Sequence, residues 1–193
     1  MALSESRRNE LIRFAKEIRM NTLECLNHLG FGHYGGSLSV VEVLAVLYKE
    51  VMPMTPDEFA KKDRDYFVLS KGHAGPALYS TLHLKGFFDK EFLLSLNQNG
   101  THLPSHPDRN LTPGIDMTTG SLGQGISVAT GIAYGQKIKD APYYTYTIVG
   151  DGELNEGQCW EAIQFASHHQ LNRFIVFVDD NKKQLDGRTA DIC

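Results

Sequence analysis

"YTYTIVGDGELNEGQCWEAIQFASHHQLNRFIVFVDDN", residues 144–181, decides the fold class. Its two ends, YTYTIVG (144–150) and RFIVFVD (173–179), are β-rich, largely apolar runs with little alternation, the pattern of strands buried on both faces of a parallel sheet. The polar and apolar mixture between them, residues 154–170, reads as the helix that carries the chain back. One βαβ unit results, with Asp151 held between two glycines at the end of the first strand and Asp179-Asp180-Asn181 at the end of the second.

Upstream, YFVLS (66–70) is a further strand, followed by Lys71-Gly72-His73 and a helix that Pro76 opens and Gly86 closes. Residues 7–29 carry apolar groups at Leu11, Phe14, Ala15, Ile18, Thr22, Cys25, Leu26 and Leu29, a helical stripe that Gly30 ends. Ser39 and Glu42 form a capping-box pattern for a helix running to Pro53, Thr55-Pro56-Asp57-Glu58 starts a short one, and Asp89 caps another over residues 90–96. Residues 99–120 hold three prolines and two histidines without periodicity, a loop long enough to suggest function or disorder. GSLGQGISVATGIAYGQKIK (120–139) is a small-residue helix of the kind that packs very closely on its neighbour. Strands alternating with helices imply an α/β, doubly wound and mainly parallel sheet flanked by helices, with residues 1–193 as a single domain.

Composition narrows the function. The 193 residues are 41% hydrophobic and 22% charged with a net charge of -4, ordinary globular values that offer no basic field to a nucleic acid. The longest apolar run, VLAVLY, cannot span a bilayer, and the polar start MALSESRRNE lacks a signal peptide's apolar core. Cys25, Cys159 and Cys193 are few, odd in number and widely separated, which argues against a disulfide framework or a zinc site and for a reducing cytoplasm.

In a sheet of this kind ligands bind beyond the carboxyl ends of the strands, where His73, Asp151 and Asp179 to Asn181 fall. A carboxylate and an amide oxygen suit a hard divalent cation whose remaining positions go to phosphate and water. The glycines around Asp151 let backbone come close to an anion near a helix start. Each motif alone has a plainer reading: Asp-Gly and Asp-Asn are common turns, Glu156 is a first-turn acid, and Trp160 is a core aromatic. His33, His73, His102 and His106 sit in glycine- or proline-containing loops and are candidates for acid-base or hydroxyl-binding work, whereas His28, His83, His168 and His169 lie on helices. GSLGQG is no dinucleotide fingerprint, since a proline-rich loop precedes it.

The combination of GDGELNEG, an Asn thirty positions after Asp151, SKGHAG, SHPD and TTGSLGQG in this order resembles the transketolase family. The resemblance implies a thiamine-diphosphate-binding fold, incomplete at its C-terminal end, with thiamine diphosphate and Mg²⁺ or Ca²⁺ at the strand ends. By that resemblance Asp151 and Asn181 ligate the metal together with the backbone carbonyl of Lys183. Gly152 approaches the diphosphate, and Gly120 and Leu122 line the cofactor's ring side. Glu156 joins a subunit-contact network that couples active sites. His73 and His106 hydrogen-bond the donor's first hydroxyl and carbonyl, His73 also lies near the diphosphate, and His33 serves the hydroxyl that loses its proton. The implied activity is transfer of a two-carbon ketol unit from a ketose phosphate to an aldose phosphate in carbohydrate metabolism of the pentose phosphate kind.

Tyr34 stands where many relatives have Pro, and Lys182-Lys183 occupies a place often small or apolar. The family's cofactor-activating Glu belongs to a pyrimidine domain that these residues do not contain. GHYGGSLS and VDDNKKQLDG look like the amino-terminal subunit of a split bacterial transketolase, which implies a carboxy-terminal partner and a heterotetramer. The competing readings are a deoxyxylulose-phosphate synthase-like enzyme, a transketolase for unusual phosphorylated or sulfonated sugars, and a truncated, inactive binding protein.

Overall fold

Ser4 starts the first helix: its hydroxyl accepts the Arg7 N–H, and α1 runs Glu5–Leu29 in a computed structural model that describes residues 3–52 and 54–192. The expected stripe is buried from Leu11 to Leu26, and Gly30, at φ +87°, returns its N–H to the Leu26 carbonyl at 2.9 Å. This helix belongs to the first of two units, made of Met1–Lys61, His73–Ser105 and Leu111–Gly114.

A separate short helix, α2 (Tyr34–Leu38), comes first, and the helix expected from Ser39 forms two residues late. This α3 (Val41–Val46) runs without a break into a wider helical turn over Leu47–Val51 that the Met52 N–H closes on the Leu47 carbonyl. Ser39 is itself in helical conformation and donates its hydroxyl to the Gly36 carbonyl, so it cannot cap α3 from the extended conformation a cap needs. Glu42 is drawn away to Arg19 of α1. Pro53, the expected stop, lies outside the described residues.

The other two starts hold. Thr55 accepts the Glu58 N–H ahead of α4 (Pro56–Phe59). Asp89 accepts the Phe92 N–H ahead of α6 (Lys90–Leu94), which stops short of residue 96 because the Ser95 hydroxyl takes the Phe92 carbonyl. Between them α5 (Gly75–Leu84) is buried from Gly75 to Leu82 and meets α1 where the Thr22 hydroxyl donates to Ser80 Oγ at 3.1 Å. Gly86, at φ +84°, turns the chain after it.

The second unit comprises Lys62–Gly72, His106–Asn110 and Ile115–Cys193 and holds the sheet. Its strands β1 (Tyr66–Leu69), β2 (Thr145–Gly150) and β3 (Phe174–Asp179) pair in parallel in that order, with Leu69 opposite Ile148 and Gly150 opposite Asp179. All six residues of β2 are buried. The outer side of β1 is covered by Asp116, whose carboxylate accepts the Phe67 N–H at 2.9 Å and pairs with the buried Arg64 at 2.6 Å. A charged pair thus satisfies a strand edge that would otherwise lack a partner.

The helix α7 (Gln124–Ile138) starts later than residue 120, after Gly120 and Gly123 at φ +146° and +82°. Close packing is confined to its first turn, where a Cβ on Gly125 would lie 2.5 Å from Ser70 Cα, while Gly131 and Gly135 face open space. Ile126 of α7, Val149 of β2, and Cys159 and Ala162 of α8 (Gly157–His168) form one apolar cluster. Full burial of a Val or Ile there contributes about 1.5–3 kcal/mol each. Trp160, expected in the core, is half exposed on α8 and donates its indole N–H to the Leu154 carbonyl.

After β3 the chain makes a small hairpin, β4 (Lys183–Gln184) against β5 (Gly187–Arg188), and a last turn of helix, α9 (Thr189–Ile192). Residues 99–120 contain neither helix nor strand, as expected. They are ordered within each unit by polar contacts such as Thr112 Oγ1 to the His102 carbonyl and the Arg109 N–H to Thr118 Oγ1. Among the described residues no helix is long and apolar enough to cross a membrane.

Candidate functional site

Asp151 follows the last residue of β2, and its N–H donates to the Asp179 carbonyl at 3.1 Å, which fixes it beside the end of β3. The hairpin returns the chain so that the Thr189 hydroxyl donates to Asp151 Oδ2 at 2.7 Å. The other carboxylate oxygen, Oδ1, is buried without a hydrogen-bond partner. A buried carboxylate oxygen without a donor is costly, and a cation is the simplest group that removes the cost.

Asn181 stands just past β3. Its Oδ1 accepts the Lys183 N–H at 2.9 Å and its Nδ2 donates to Asp179 Oδ2 at 3.1 Å. The same Asp179 oxygen receives the Nζ of Lys71, whose side chain is fully buried. Asp179 stands out by sequence only as part of the strand-end run Asp179 to Asn181, and Lys71 only as a charged residue shortly after a strand. The only signal is that both directly follow or end apolar runs.

Glu153 is a second residue that the sequence understates. It is 2% exposed, and its carboxylate accepts the Ser70 hydroxyl at 2.6 Å, the Gly123 N–H at 2.9 Å and the Gly150 N–H at 3.1 Å. One acid therefore ties the ends of β1 and β2 to the start of α7. A signal existed in the Gly-rich surroundings, which expose N–H groups that need an acceptor. Glu156, the acid expected in a subunit-contact network, is exposed at the start of α8 with no side-chain capping bond, and its Cβ adjoins Gly123.

Around this hub the backbone is tightly apposed. A Cβ on Gly72 would lie 2.7 Å from the Gly120 nitrogen, and a Cβ on Gly120 would lie 3.1–3.3 Å from His106 ring and Cβ atoms. His106, Gly120 and the half-buried Leu122 are thus neighbours in the fold or along the chain. On Gly152 the place a Cβ would take is filled by the Gln184 side chain at 2.8 Å, so the hairpin presses on the turn after Asp151.

In the first unit, His33 lies at the start of α2 and His73 in a single 3₁₀ turn over Gly72–Ala74, before α5. Their rings meet edge to face with centroids 5.5 Å apart. Tyr34, the residue in place of Pro, anchors this loop by donating its hydroxyl to Asn27 Oδ1 at 3.1 Å. His102, also a candidate, is exposed and gives its carbonyl to Thr112.

Among the described residues no three His, Cys, Asp or Glu side chains cluster to hold a metal. A carboxylate oxygen at Asp151 and an amide oxygen at Asn181, each just past one of two paired strands, are donors of the kind a hard cation takes while completing its shell with oxygens from a bound ligand and from water. That is the donor set a metal diphosphate requires. Asp151 Oδ1 is buried and unpartnered in the chain between Gly150 and Gly152, and the Gln184 side chain lies against Gly152.

Comparison with known proteins agrees with this chemistry. Residues 11–193 match the family model described as transketolase, thiamine diphosphate binding domain. The chain is 54% identical over 178 residues to the 6-deoxy-6-sulfo-D-fructose transketolase subunit SqwG of Clostridium sp. (strain MSTE9), covering 92% of this chain and 65% of that protein. It is 39% identical to an apulose-4-phosphate transketolase subunit from Phocaeicola vulgatus, over 90% of this chain and 62% of that one. The chain therefore spans somewhat under two thirds of these relatives. Among solved structures, transketolase from Leishmania mexicana superposes with a TM-score of 0.89 at 34% identity, over 95% of this chain and 29% of that one. With its parallel sheet flanked by helices, the chain belongs to the transketolase family and carries its thiamine diphosphate binding domain.

Proposed function

We propose that this chain is the cofactor-binding, amino-terminal subunit of a split transketolase, with residues 1–193 forming one incomplete diphosphate domain. The observation that carries the reading is the buried, unpartnered Oδ1 of Asp151 together with the oriented amide of Asn181, both residues being tied to Asp179. These two side chains and the Lys183 carbonyl would hold Mg²⁺ or Ca²⁺, and the metal would hold the diphosphate of thiamine diphosphate beside Gly152. When bound, that cofactor supplies the carbon nucleophile of ketol transfer.

The chain's own residues then have the following parts. Gly120 and Leu122 line the cofactor's rings, and Glu156, exposed at the start of α8, faces a neighbouring subunit. His33, His73 and His106 are the substrate-facing groups. Imidazoles can donate to a sugar hydroxyl or accept its proton near neutral pH, which suits the hydroxyl deprotonation that accompanies carbon-carbon cleavage. The edge-to-face His33–His73 contact holds two of them in a fixed relation.

The partner supplies the pyrimidine domain and its acid, most simply as a heterotetramer of two subunits of each kind. The relatives named as transketolase subunits support such a partner. Those relatives are named for 6-deoxy-6-sulfo-D-fructose and apulose 4-phosphate, which favours an unusual sulfonated or phosphorylated ketose over the pentose phosphates as donor. Buried free thiols at Cys25 and Cys159 suit a reducing cytoplasm.

The test is reconstitution. Mixed with its carboxy-terminal subunit, thiamine diphosphate and Mg²⁺, the chain should transfer a two-carbon unit from a ketose phosphate or sulfonate to an aldose phosphate. Alone it should transfer none. Turnover by the chain alone would refute the split arrangement, and no turnover by the mixture would favour an inactive binding protein.

A further inference from the structure

Lys71, which follows β1 closely, takes no part in the chemistry proposed for the site. Its side chain is fully buried and donates to Asp179 Oδ2, and that same oxygen accepts the Asn181 amide N–H at 3.1 Å. Asp179 is a carboxylate and can only accept, so the Asn181 amide is oriented from both ends. Nδ2 must face Asp179, and Oδ1 must face the Lys183 N–H at 2.9 Å. Oδ1 is the atom a cation would use.

A second consequence is electrostatic. Asp151 and Asp179 lie beside each other at the ends of paired strands, since the Asp151 N–H donates to the Asp179 carbonyl. Two carboxylates there would both attract a cation, but Asp179 is already neutralised by Lys71 and occupied by two donors on one oxygen. The ammonium keeps Asp179 out of the ligand set and leaves it as the group that orients Asn181.

We propose that Lys71 is a positioning residue for the cation site, acting through Asp179 on the side-chain amide of Asn181. The proposal rests on the assignment of Asp151 and Asn181 as cation ligands. Groups that hold a metal ligand in place are commonly worth 10–100-fold in metal affinity.

The test reads metal binding rather than turnover. Mn²⁺ affinity is measured by the loss of its free-ion EPR signal with thiamine diphosphate present, for the wild-type chain and for the variant Lys71→Met/Asp179→Leu. That variant removes both buried charges together and so avoids an unpaired one. Lys71→Gln, which keeps a neutral donor to Asp179, is the second variant should the first not fold by circular dichroism. Each is also made in an Asn181→Ala background to complete a double-mutant cycle.

The expected result is about a tenfold or greater loss of Mn²⁺ affinity for Lys71→Met/Asp179→Leu, a smaller loss for Lys71→Gln, and no further loss from either in the Asn181→Ala background. Unchanged affinity would overturn the proposal. So would an equal loss with and without Asn181, because that means a general effect on the fold. Asp151→Ala is the separating control: if it leaves Mn²⁺ affinity intact, the metal site itself is wrong, whatever the Lys71 variants do.

Discussion

The Thr189 hydroxyl donates to Asp151 Oδ2 at 2.7 Å and leaves Asp151 Oδ1 buried without a donor. A hydroxyl so placed occupies one carboxylate oxygen and leaves the other for the cation proposed above. Thr189→Val removes the donor while nearly preserving shape. Metal affinity in the presence of thiamine diphosphate should fall about tenfold, in line with other groups that orient a ligand, with little change in the urea midpoint. Equal affinities in the two proteins would show that Thr189 is only a surface contact.

Glu153 makes a stability prediction independent of any ligand. Glu153→Ala strands the Ser70 hydroxyl and the N–H groups of Gly123 and Gly150, and the expected loss is about 3 kcal/mol by urea denaturation. Glu153→Gln keeps one acceptor oxygen but turns an NH₂ toward a backbone donor, so about 2 kcal/mol is expected. A loss under about 0.5 kcal/mol in both would contradict the role given to this residue.

The Arg64–Asp116 pair predicts a pH dependence. Burial pushes the Asp116 carboxyl up, and the hydrogen bond and charge of Arg64 pull it down. Arg64→Met removes the pull, so the folded-state value rises further above the unfolded one. A group raised in this way favours the fold fully below its unfolded value, roughly pH 4, and that contribution is lost as pH rises through the folded value. Arg64→Met should therefore cost about 3 kcal/mol near pH 7.5 and distinctly less near pH 4.5, compared with wild type at each pH. A uniform loss across that range would show that the charge of Asp116 is not what matters.

Burial pushes the thiols of Cys25 and Cys159 up to about 11. At pH 8 only about one in a thousand is then thiolate, so iodoacetamide should leave both unmodified in the folded protein and label both in urea, read by peptide mass spectrometry. Because both values are raised from 9.0, the stability they contribute is complete below pH 9 and is lost as pH rises through about 11. Cys193 lies outside the described residues and serves as the internal labelling comparison only in its own peptide.

What could be read in the sequence was what depends on neighbours along the chain. The apolar runs 144–150 and 173–179 gave two of the three parallel strands to within a residue, but only β2 is buried as expected; β3, at the edge of the described sheet, is half-buried to exposed. Thr55, Asp89 and Gly30 marked helix ends because their side chain or φ acts locally. Ser39 failed for a local reason as well: its hydroxyl found the Gly36 carbonyl, and its partner Glu42 was taken by Arg19 from another helix. Asp151 and Asn181 are proposed from the sequence as a hard-cation pair, and the contacts around them were not legible there. Lys71 meets Asp179 across 108 positions and Thr189 meets Asp151 across 38, and no spacing rule reaches that far. Glu153 was passed over because an acid near the start of a helix ordinarily reads as a solvated first-turn residue, and only the fold buries it.

The central claim is that Asp151 holds a divalent cation against a diphosphate. Isothermal titration calorimetry of thiamine diphosphate into the chain, with its carboxy-terminal subunit present, measures it directly with and without Mg²⁺. The account predicts binding that requires Mg²⁺ or Ca²⁺ in wild type and is absent in Asp151→Ala; binding that is unchanged by that substitution or indifferent to the metal would contradict it.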